Sequence, residues 1–121
     1  MVVEQSSDTE LSDTEVDRIF QALADATRRD IVARVTTRER SVSDLARAYT
    51  MSFAAVQKHV AVLERARLVT KERRGREQIV HPDPGMIRRA AQLLDYYEVI
   101  WRGRADRSDQ LLAEDEKGME Q

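Results

Sequence analysis

Residues 41–69 decide the fold, and they read SVSDLARAYTMSFAAVQKHVAVLERARLV. Apolar residues recur at helical spacing on both sides of a short gap, which predicts two amphipathic helices. Ser41 or Ser43 is a suitable N-cap for the first helix, and Ser52 is one for the second. The connection over residues 49–52 is tight, so the stretch predicts a helix-turn-helix. The apolar residues that carry the pattern are Val42, Leu45, Ala46, Tyr49, Val56, Val60 and Leu63.

Two further helices are predicted before this motif. The first has apolar residues at spacings of i, i+3, i+4 and i+7, which places them on one face. Thr27 is a good N-cap for the second, which covers the sequence TRRDIVARV. Residues 1–13 are polar and acidic, and we expect them to form a disordered tail. The residues expected on the inner faces are Val16, Ile19, Phe20 and Leu23, followed by Ile31, Val32 and Val35.

The periodicity changes at residues 68–82, which read LVTKERRGREQIVHP. Two runs of β-forming residues flank the turn RRGR, and Gly75 supplies the flexible position that a tight turn needs. Pro82 and Pro84 end the second run. This segment therefore predicts a β-hairpin, which we call the wing. The β-forming residues are Leu68, Val69, Ile79 and Val80.

A long final helix is expected from about Pro84 to Leu112, with apolar residues at alternating spacings of four and three. Such a stripe suits contact with a partner helix. The predicted order is α-α-α-α-β-β-α, a mainly α fold with a small hairpin, in a winged helix-turn-helix domain over residues 14–112. Residues 113–121 are expected to form a second acidic tail. The stripe consists of Met86, Ala90, Leu93, Tyr97 and Ile100.

Charge is distributed unevenly along the chain, although the net charge is only −2. Residues 18–104 hold 18 basic and 10 acidic side chains, a net charge of +8, whereas both ends are acidic. Binding to phosphate groups requires such a basic region, although a solvated surface of mixed sign would look similar. The absence of cysteine excludes disulfides and thiolate metal sites. No apolar run reaches 18 residues and no signal segment is evident, so we expect a cytoplasmic protein.

The second helix of the motif, which we call the recognition helix, carries small and polar residues near its N-terminus. A helix that lies in the major groove of DNA requires such a face, although an ordinary amphipathic surface helix would show the same pattern. Gln57 could pair with the edge of an adenine, and the alanines could contact a thymine methyl group. Ser52 and the first-turn amides could hold a phosphate, and Lys58 and His59 are expected to reach phosphate. The candidate DNA-binding residues are Ser52, Ala54, Ala55, Gln57, Lys58 and His59.

Basic side chains crowd the tip of the wing around its glycine. Such a cluster suits a hairpin that lies along the backbone or the minor groove of DNA. A loop kept soluble by charge would more often mix acidic and basic residues, and Glu72 and Glu77 partly do so. The candidate DNA-binding residues of the wing are Lys71, Arg73, Arg74 and Arg76.

Three segments in combination resemble the ArsR family of winged-helix repressors: ALADATRRDIV, the motif at residues 41–69, and TKERRGREQIV. The resemblance spans about residues 16–112 and is closest to the metal-independent branch. It implies a homodimeric autoregulatory repressor that binds a pseudo-palindromic operator, with the recognition helix in the major groove and the wing alongside. Gln57 departs from the serine that is common in the family. Arg67 stands where the family usually has a glycine, and a left-handed arginine there would cost about 1 kcal/mol.

The residues that the family uses for metal sensing are not matched. Metal-sensing members place paired cysteines before the recognition helix, whereas residues 41–43 read SVS here. Another family site uses aspartate and histidine on the last helix, where this chain has Asp95 and Glu98 but no histidine. His59 and His81 are isolated, and a lone histidine is more often an ordinary residue than a ligand. We therefore expect no metal and no cofactor.

Tyr96, Tyr97 and Trp101 place three of the six aromatic residues close together on the final helix. We favour packing in a dimer interface, and the alternative is an apolar pocket for a small inducer. A second alternative is a winged-helix module that docks other proteins. An enzyme is not expected, because no phosphate-binding glycine loop or catalytic constellation is evident. The expected homodimer interface consists of Ile19, Phe20, Leu93, Tyr97, Ile100 and Trp101.

Overall fold

The structure, a computed structural model, describes the backbone of residues 11–120 and the side chains of residues 11–104 and 107. Most of the predicted N-terminal tail lies outside the described residues. The elements are α1 Asp13–Leu23, α2 Ala26–Thr37, β1 Arg40–Ser41, α3 Val42–Tyr49, α4 Phe53–Arg65, β2 Val69–Arg74, β3 Glu77–Pro82 and α5 Pro84–Glu120. The predicted mainly α winged helix-turn-helix is confirmed, and α4 is the recognition helix.

Side chains at the helix starts fix where α1 and α2 begin. Ser12 and Glu15 form a capping box at the start of α1, with reciprocal hydrogen bonds of 3.1 and 2.9 Å. Asp25 caps α2 by accepting a hydrogen bond from the Arg28 amide at 3.0 Å. The prediction that Thr27 caps this helix is wrong. The N-cap is Asp25, two residues earlier, and Thr27 lies inside the first turn.

The helix-turn-helix is closed by two serines and a left-handed threonine. Ser41 caps α3 and forms a capping box with Asp44 at 3.0 and 3.1 Å, which confirms one of the two predicted caps. Thr50 adopts a φ of 55° and ends α3, since a left-handed residue cannot continue the helix. Ser52 caps α4 by accepting from the Ala55 amide at 3.1 Å, as predicted.

A third strand joins the wing and was not predicted. β1 pairs antiparallel with β3, Arg40 opposite Val80, so the sheet order is β1-β3-β2 and the chain order is α-α-β-α-α-β-β-α. A strand of two residues is too short to show alternation, which is why the sequence pattern missed it. The predicted turn is confirmed, with Gly75 at a φ of 64° between the paired residues Arg74 and Glu77.

The chain divides into two compact units at Ala90, and α5 contributes to both. The first unit contains a core to which every one of its helices contributes buried side chains. Ile19 is only 2% exposed and lies in this core, so the prediction that it contacts a second subunit is wrong. Phe20, predicted to face inward, is 43% exposed. The core residues include Ile19, Ala22, Ile31, Val35, Val42, Leu45, Val56, Val60, Leu63, Leu68, Val69, Val80 and Met86.

The second unit spans residues 91–121, and the structure describes its backbone as far as residue 120, all of it helical. This part of α5 exposes large apolar side chains, with Trp101 at 63%. The helix continues to Glu120 rather than ending near Leu112, so residues 113–120 are helical and do not form a separate tail. None of the helices in the described range is long and apolar enough to cross a membrane. The other exposed large residues of this unit are Leu94, Tyr96, Tyr97, Val99 and Ile100.

Candidate nucleic-acid interface

α4 exposes small and basic side chains on the side away from the core. Its buried residues Val56, Val60 and Leu63 recur at i, i+4 and i+7 and face inward. Ala54 and Lys58 are exposed and lie one turn apart on the opposite side. A helix with small and basic residues on its free face can approach DNA closely and contact phosphate with its lysine.

The first turn of α4 contains an exposed aromatic residue that the sequence reasoning missed. Phe53 is 47% exposed, although its position in the helix is near the inward face. Phe53 is not part of the hydrophobic core, and its ring remains accessible. The sequence contained a signal for this residue, because Phe53 directly follows the capping serine and so lies in the first turn of the recognition helix. An apolar side chain in that turn can contact a thymine methyl group. Ala55 beside it is half-buried.

Gln57 is directed toward the wing and not toward the exposed side of α4. Its side-chain Nε2 donates a hydrogen bond of 2.8 Å to Oε1 of Gln78 on β3. The Oε1 atom of Gln57 is buried and has no hydrogen-bond partner among the described residues. The expectation that Gln57 faces outward is therefore wrong for this structure, because the amide is already engaged between helix and hairpin.

His59 also lies on a side face of α4. Its Nδ1 is 3.3 Å from a terminal nitrogen of Arg28, which requires Nδ1 to be the hydrogen-bond acceptor. Arg28 further donates to the Ala22 and Gln21 carbonyls at 2.7 and 3.1 Å and so covers the C-terminal end of α1. His59 thus connects the recognition helix to the α1–α2 corner.

The four cations of the wing fall into two groups. Lys71 lies 3.5 Å from a carboxylate oxygen of Glu64 on α4, so it holds the wing against the recognition helix. Arg74 pairs with Glu39 and, at 3.0 Å, with Glu72. These carboxylates neutralise much of the positive charge that the sequence pattern assigned to Lys71 and Arg74.

Arg73 and Arg76 form the second group. Both are exposed, and neither makes an ion pair with any side chain in the described part of the chain. Because Arg76 lies in the turn and Arg73 lies at the end of β2, their charges are available to phosphate groups. The unneutralised charge of the wing is therefore concentrated at these two positions.

The base of the wing carries a smaller polar network. His81 Nε2 lies 2.7 Å from Glu72, across the two strands of the hairpin. Hydrogen bonds from His81 and Arg74 lower the pKa of Glu72 below its ordinary value. Glu72 therefore stays ionised and holds the side chain of Arg74.

A hydrogen-bonded cluster connects α3, the first helix of the motif, to α2. Tyr49 donates its hydroxyl hydrogen to Asp30, and Arg34 donates to the same carboxylate at 2.7 Å. The Arg34 guanidinium also lies 5.1 Å from the centre of the Tyr49 ring. Burial, followed by the hydrogen bond to Asp30, raises the pKa of Tyr49 to about 12.

Within the described part of the chain, no three histidine, aspartate or glutamate side chains are arranged so that they could hold a metal ion. Asp95 and Glu98 are both exposed on α5, and Glu98 pairs with Arg102 at 3.0 Å. These two carboxylates are therefore solvated surface charges in this structure.

The sequence matches a family model described as a helix-turn-helix domain over residues 23–72. It is 44% identical over 68 residues to the HTH-type transcriptional regulator Rv2034 of Mycobacterium tuberculosis, a match covering 56% of this chain and 64% of that protein. An ArsR-like transcriptional regulator from Rhodococcus sp. RHA1 has the same fold, with a TM-score of 0.69, 28% identity, and coverage of 81% of this chain and 92% of that one. A possible transcriptional regulator for arsenical resistance is 31% identical, with a TM-score of 0.61 over 72% of this chain and 93% of that one.

Proposed function

As this chain belongs to the ArsR family of winged helix-turn-helix regulators, we propose that it is a sequence-specific DNA-binding repressor in the cytoplasm. The observation that supports the proposal is that side-chain contacts hold α4 and the wing together. The bond between Gln57 and Gln78 and the pair between Lys71 and Glu64 connect the two elements. The exposed start of α4 and the free arginines of the wing can therefore act on one DNA site.

Contacts with DNA divide into two kinds under this proposal. Ala54 and Phe53 approach base edges in the major groove, where their apolar surfaces suit thymine methyl groups. Ser52, Lys58 and the unpaired arginines of the wing contact phosphate and set the register of the protein on the duplex. Gln57 acts through the wing rather than on a base, because its amide is held by Gln78.

We further propose that the chain works as a homodimer through α5. Over residues 91–104, whose side chains the structure describes, α5 exposes six large apolar residues, and Leu93 on the same helix is half-buried. An apolar surface of this extent on a single helix marks an interaction site. A two-fold dimer has two recognition helices and suits a pseudo-palindromic operator whose half-sites lie about 34 Å apart.

The test is fluorescence anisotropy of the full chain on DNA from upstream of its own gene, with a scrambled duplex as control, at two salt concentrations. We expect binding about 1,000-fold tighter to the upstream DNA and a steep decrease with salt. Equal affinity for the two duplexes would contradict sequence-specific recognition at that site. A lack of binding to either duplex at low salt would favour a winged-helix module that docks proteins.

A further inference from the structure

A cavity of about 570 Å³ lies between α1, the start of α2 and the C-terminal half of α4. Five residues line it, and three of them are arginines. Its volume is within the range of sites that hold small molecules. We call it the arginine pocket; its lining residues are Arg18, Gln21, Arg28, Val62 and Arg65.

The arginine pocket carries an excess of positive charge. Arg18 and Arg65 are exposed, and neither forms an ion pair with any side chain that the structure describes. Arg28 has one acidic neighbour, Asp25, at 3.9 Å. No carboxylate lines the pocket itself. Three guanidinium groups therefore line one space, and two of them, those of Arg18 and Arg65, have no acidic partner among the described side chains.

The three arginines differ in how free they are to bind a ligand. Arg28 already donates to two carbonyl groups of α1, so it is fixed in the wall with few hydrogens left. Arg18 and Arg65 donate no side-chain hydrogen bond within the described part of the chain, so they can form paired hydrogen bonds to a carboxylate or a phosphate. Val62 adds an apolar surface that suits a carbon skeleton.

We propose that the arginine pocket binds a small organic anion with two negative charges, a phosphomonoester or a dicarboxylate. The anionic groups of the ligand face the guanidinium groups of Arg18, Arg65 and Arg28, and its carbon skeleton lies against Val62. An uncharged ligand would leave the arginines unpaired and would gain no electrostatic binding energy from them. This site extends beyond the proposed DNA-binding function and does not depend on it.

The position of the arginine pocket separates it from the proposed DNA contacts. Val62 and Arg65 follow Ala54 by 8 and 11 residues, which corresponds to roughly 12 and 16 Å along the helix axis. The first turns of α4 approach the groove, whereas the pocket lies beside the last turns. A free anion is therefore a better occupant than a phosphate of the operator. The pocket wall also reaches the recognition helix through the contact between Arg28 and His59.

Isothermal titration calorimetry without DNA tests the proposal. Glycerol 3-phosphate and succinate are titrated into the full chain at constant ionic strength, with uncharged glycerol as the ligand control. We expect at least one of the dianions to bind once per chain and glycerol not to bind. Arg65→Gln should raise the dissociation constant about tenfold or more, because a charge-assisted hydrogen-bond pair is lost.

Arg38→Gln is the matched control variant. Arg38 is exposed and lies at the opposite end of α2 from Arg28, so its removal should change the dissociation constant less than twofold, about the limit for a distant surface residue. Circular dichroism establishes that each variant is folded. Arg28 is left unchanged because it covers the end of α1.

Two results would overturn the proposal. One is that neither dianion binds the folded wild-type chain. The other is binding that persists unchanged in the double variant Arg18→Gln/Arg65→Gln, since the anion would then lie elsewhere. If neither dianion binds and the double variant loses affinity for DNA, the pocket holds an operator phosphate instead. A chain that binds a dianion but no DNA would contradict the proposed function alone.

Discussion

Arg67 holds a backbone conformation that costs free energy. Its φ of 63° lies in the left-handed region, directly after Ala66, the C-cap of α4. The side chain recovers little, because its contact with Glu15 at 3.4 Å is solvent-exposed. Arg67→Gly should therefore raise the free energy of unfolding by about 0.5–1 kcal/mol, as measured by urea denaturation.

The control for this change is Lys58→Gly, inside α4, where glycine should lower the free energy of unfolding by about 1 kcal/mol. A change to glycine is thus expected to raise the free energy of unfolding at Arg67 and to lower it at Lys58, although both side chains are basic and exposed. A loss of stability in Arg67→Gly would show that the contact with Glu15 outweighs the backbone strain.

The hydrogen bond from the Tyr49 hydroxyl to Asp30 stabilises the packing of α3 on α2 only while the hydroxyl is protonated. Its raised pKa of about 12 means that the folded chain keeps the proton that the unfolded chain loses near pH 10. Stability from this group is complete below pH 10 and decreases as the pH rises toward 12. Tyr49→Phe should lower the free energy of unfolding by about 1 kcal/mol at pH 8, and urea titrations at pH 8–11 should show the difference shrinking above pH 10.

The acidic partner of Tyr49 titrates at the other end of the pH scale. Hydrogen bonds from Tyr49 and Arg34 lower the pKa of Asp30, so its contribution is present above pH 3.8 and is lost as the pH falls below that. Asp30→Asn should remove the acidic dependence and should only weaken that of Tyr49, because burial is the larger cause of the raised pKa of Tyr49. A difference between Tyr49→Phe and wild type that stays constant from pH 8 to 11 would contradict the role of this hydrogen bond.

The Gln57 side chain is expected to act on DNA binding through Gln78. Gln57→Ala should weaken binding to all DNA sequences by a similar factor, because the helix loses its bond to the wing. Gln78→Ala should have the same effect, and the double variant should be no weaker than either, with a coupling energy of about 1 kcal/mol. Anisotropy on operator variants measures this. Loss of discrimination at a single base pair in Gln57→Ala alone would show that the residue reads a base.

Within the wing, position and pairing decide which cations bind DNA. Arg73→Gln/Arg76→Gln should reduce the slope of log affinity against log salt by about 1.8, since each phosphate contact contributes about 0.9. Arg74→Gln is the matched control, because Arg74 is already paired with Glu39 and Glu72. An equal change of slope in the control would show that DNA displaces these ion pairs.

The elements differ in how well the sequence predicts them. The helix-turn-helix is predicted almost completely, because the caps Ser41 and Ser52 and the apolar spacing are local signals. β1 is not, since its pairing depends on β3 some forty residues later. The side-chain pairing within the site is also not predictable, because the partners of Gln57 and Arg74 come from distant parts of the chain.

At the scale of the whole molecule, the exposed face of α5 predicts self-association. Trp101→Asp should shift the chain to a monomer in sedimentation equilibrium and weaken operator binding, because a charge in an apolar interface costs several kcal/mol. Arg102→Gln is the control, since Arg102 pairs with Glu98 at the surface and should leave the dimer intact. A wild-type chain that remains monomeric at micromolar concentration would contradict the dimer.

The apolar face of α5 also bears on how gene dosage translates into promoter activity. If only a pair of chains binds the operator, the active species increases with the square of the amount of chain at concentrations where most chains are single. A twofold rise in synthesis then gives about a fourfold rise in the active pair, by that same mass action. A repressor that controls its own gene in this way resists drift in its own level. The strength of association along one helix face would thus set the amount of chain at which transcription of the gene is repressed.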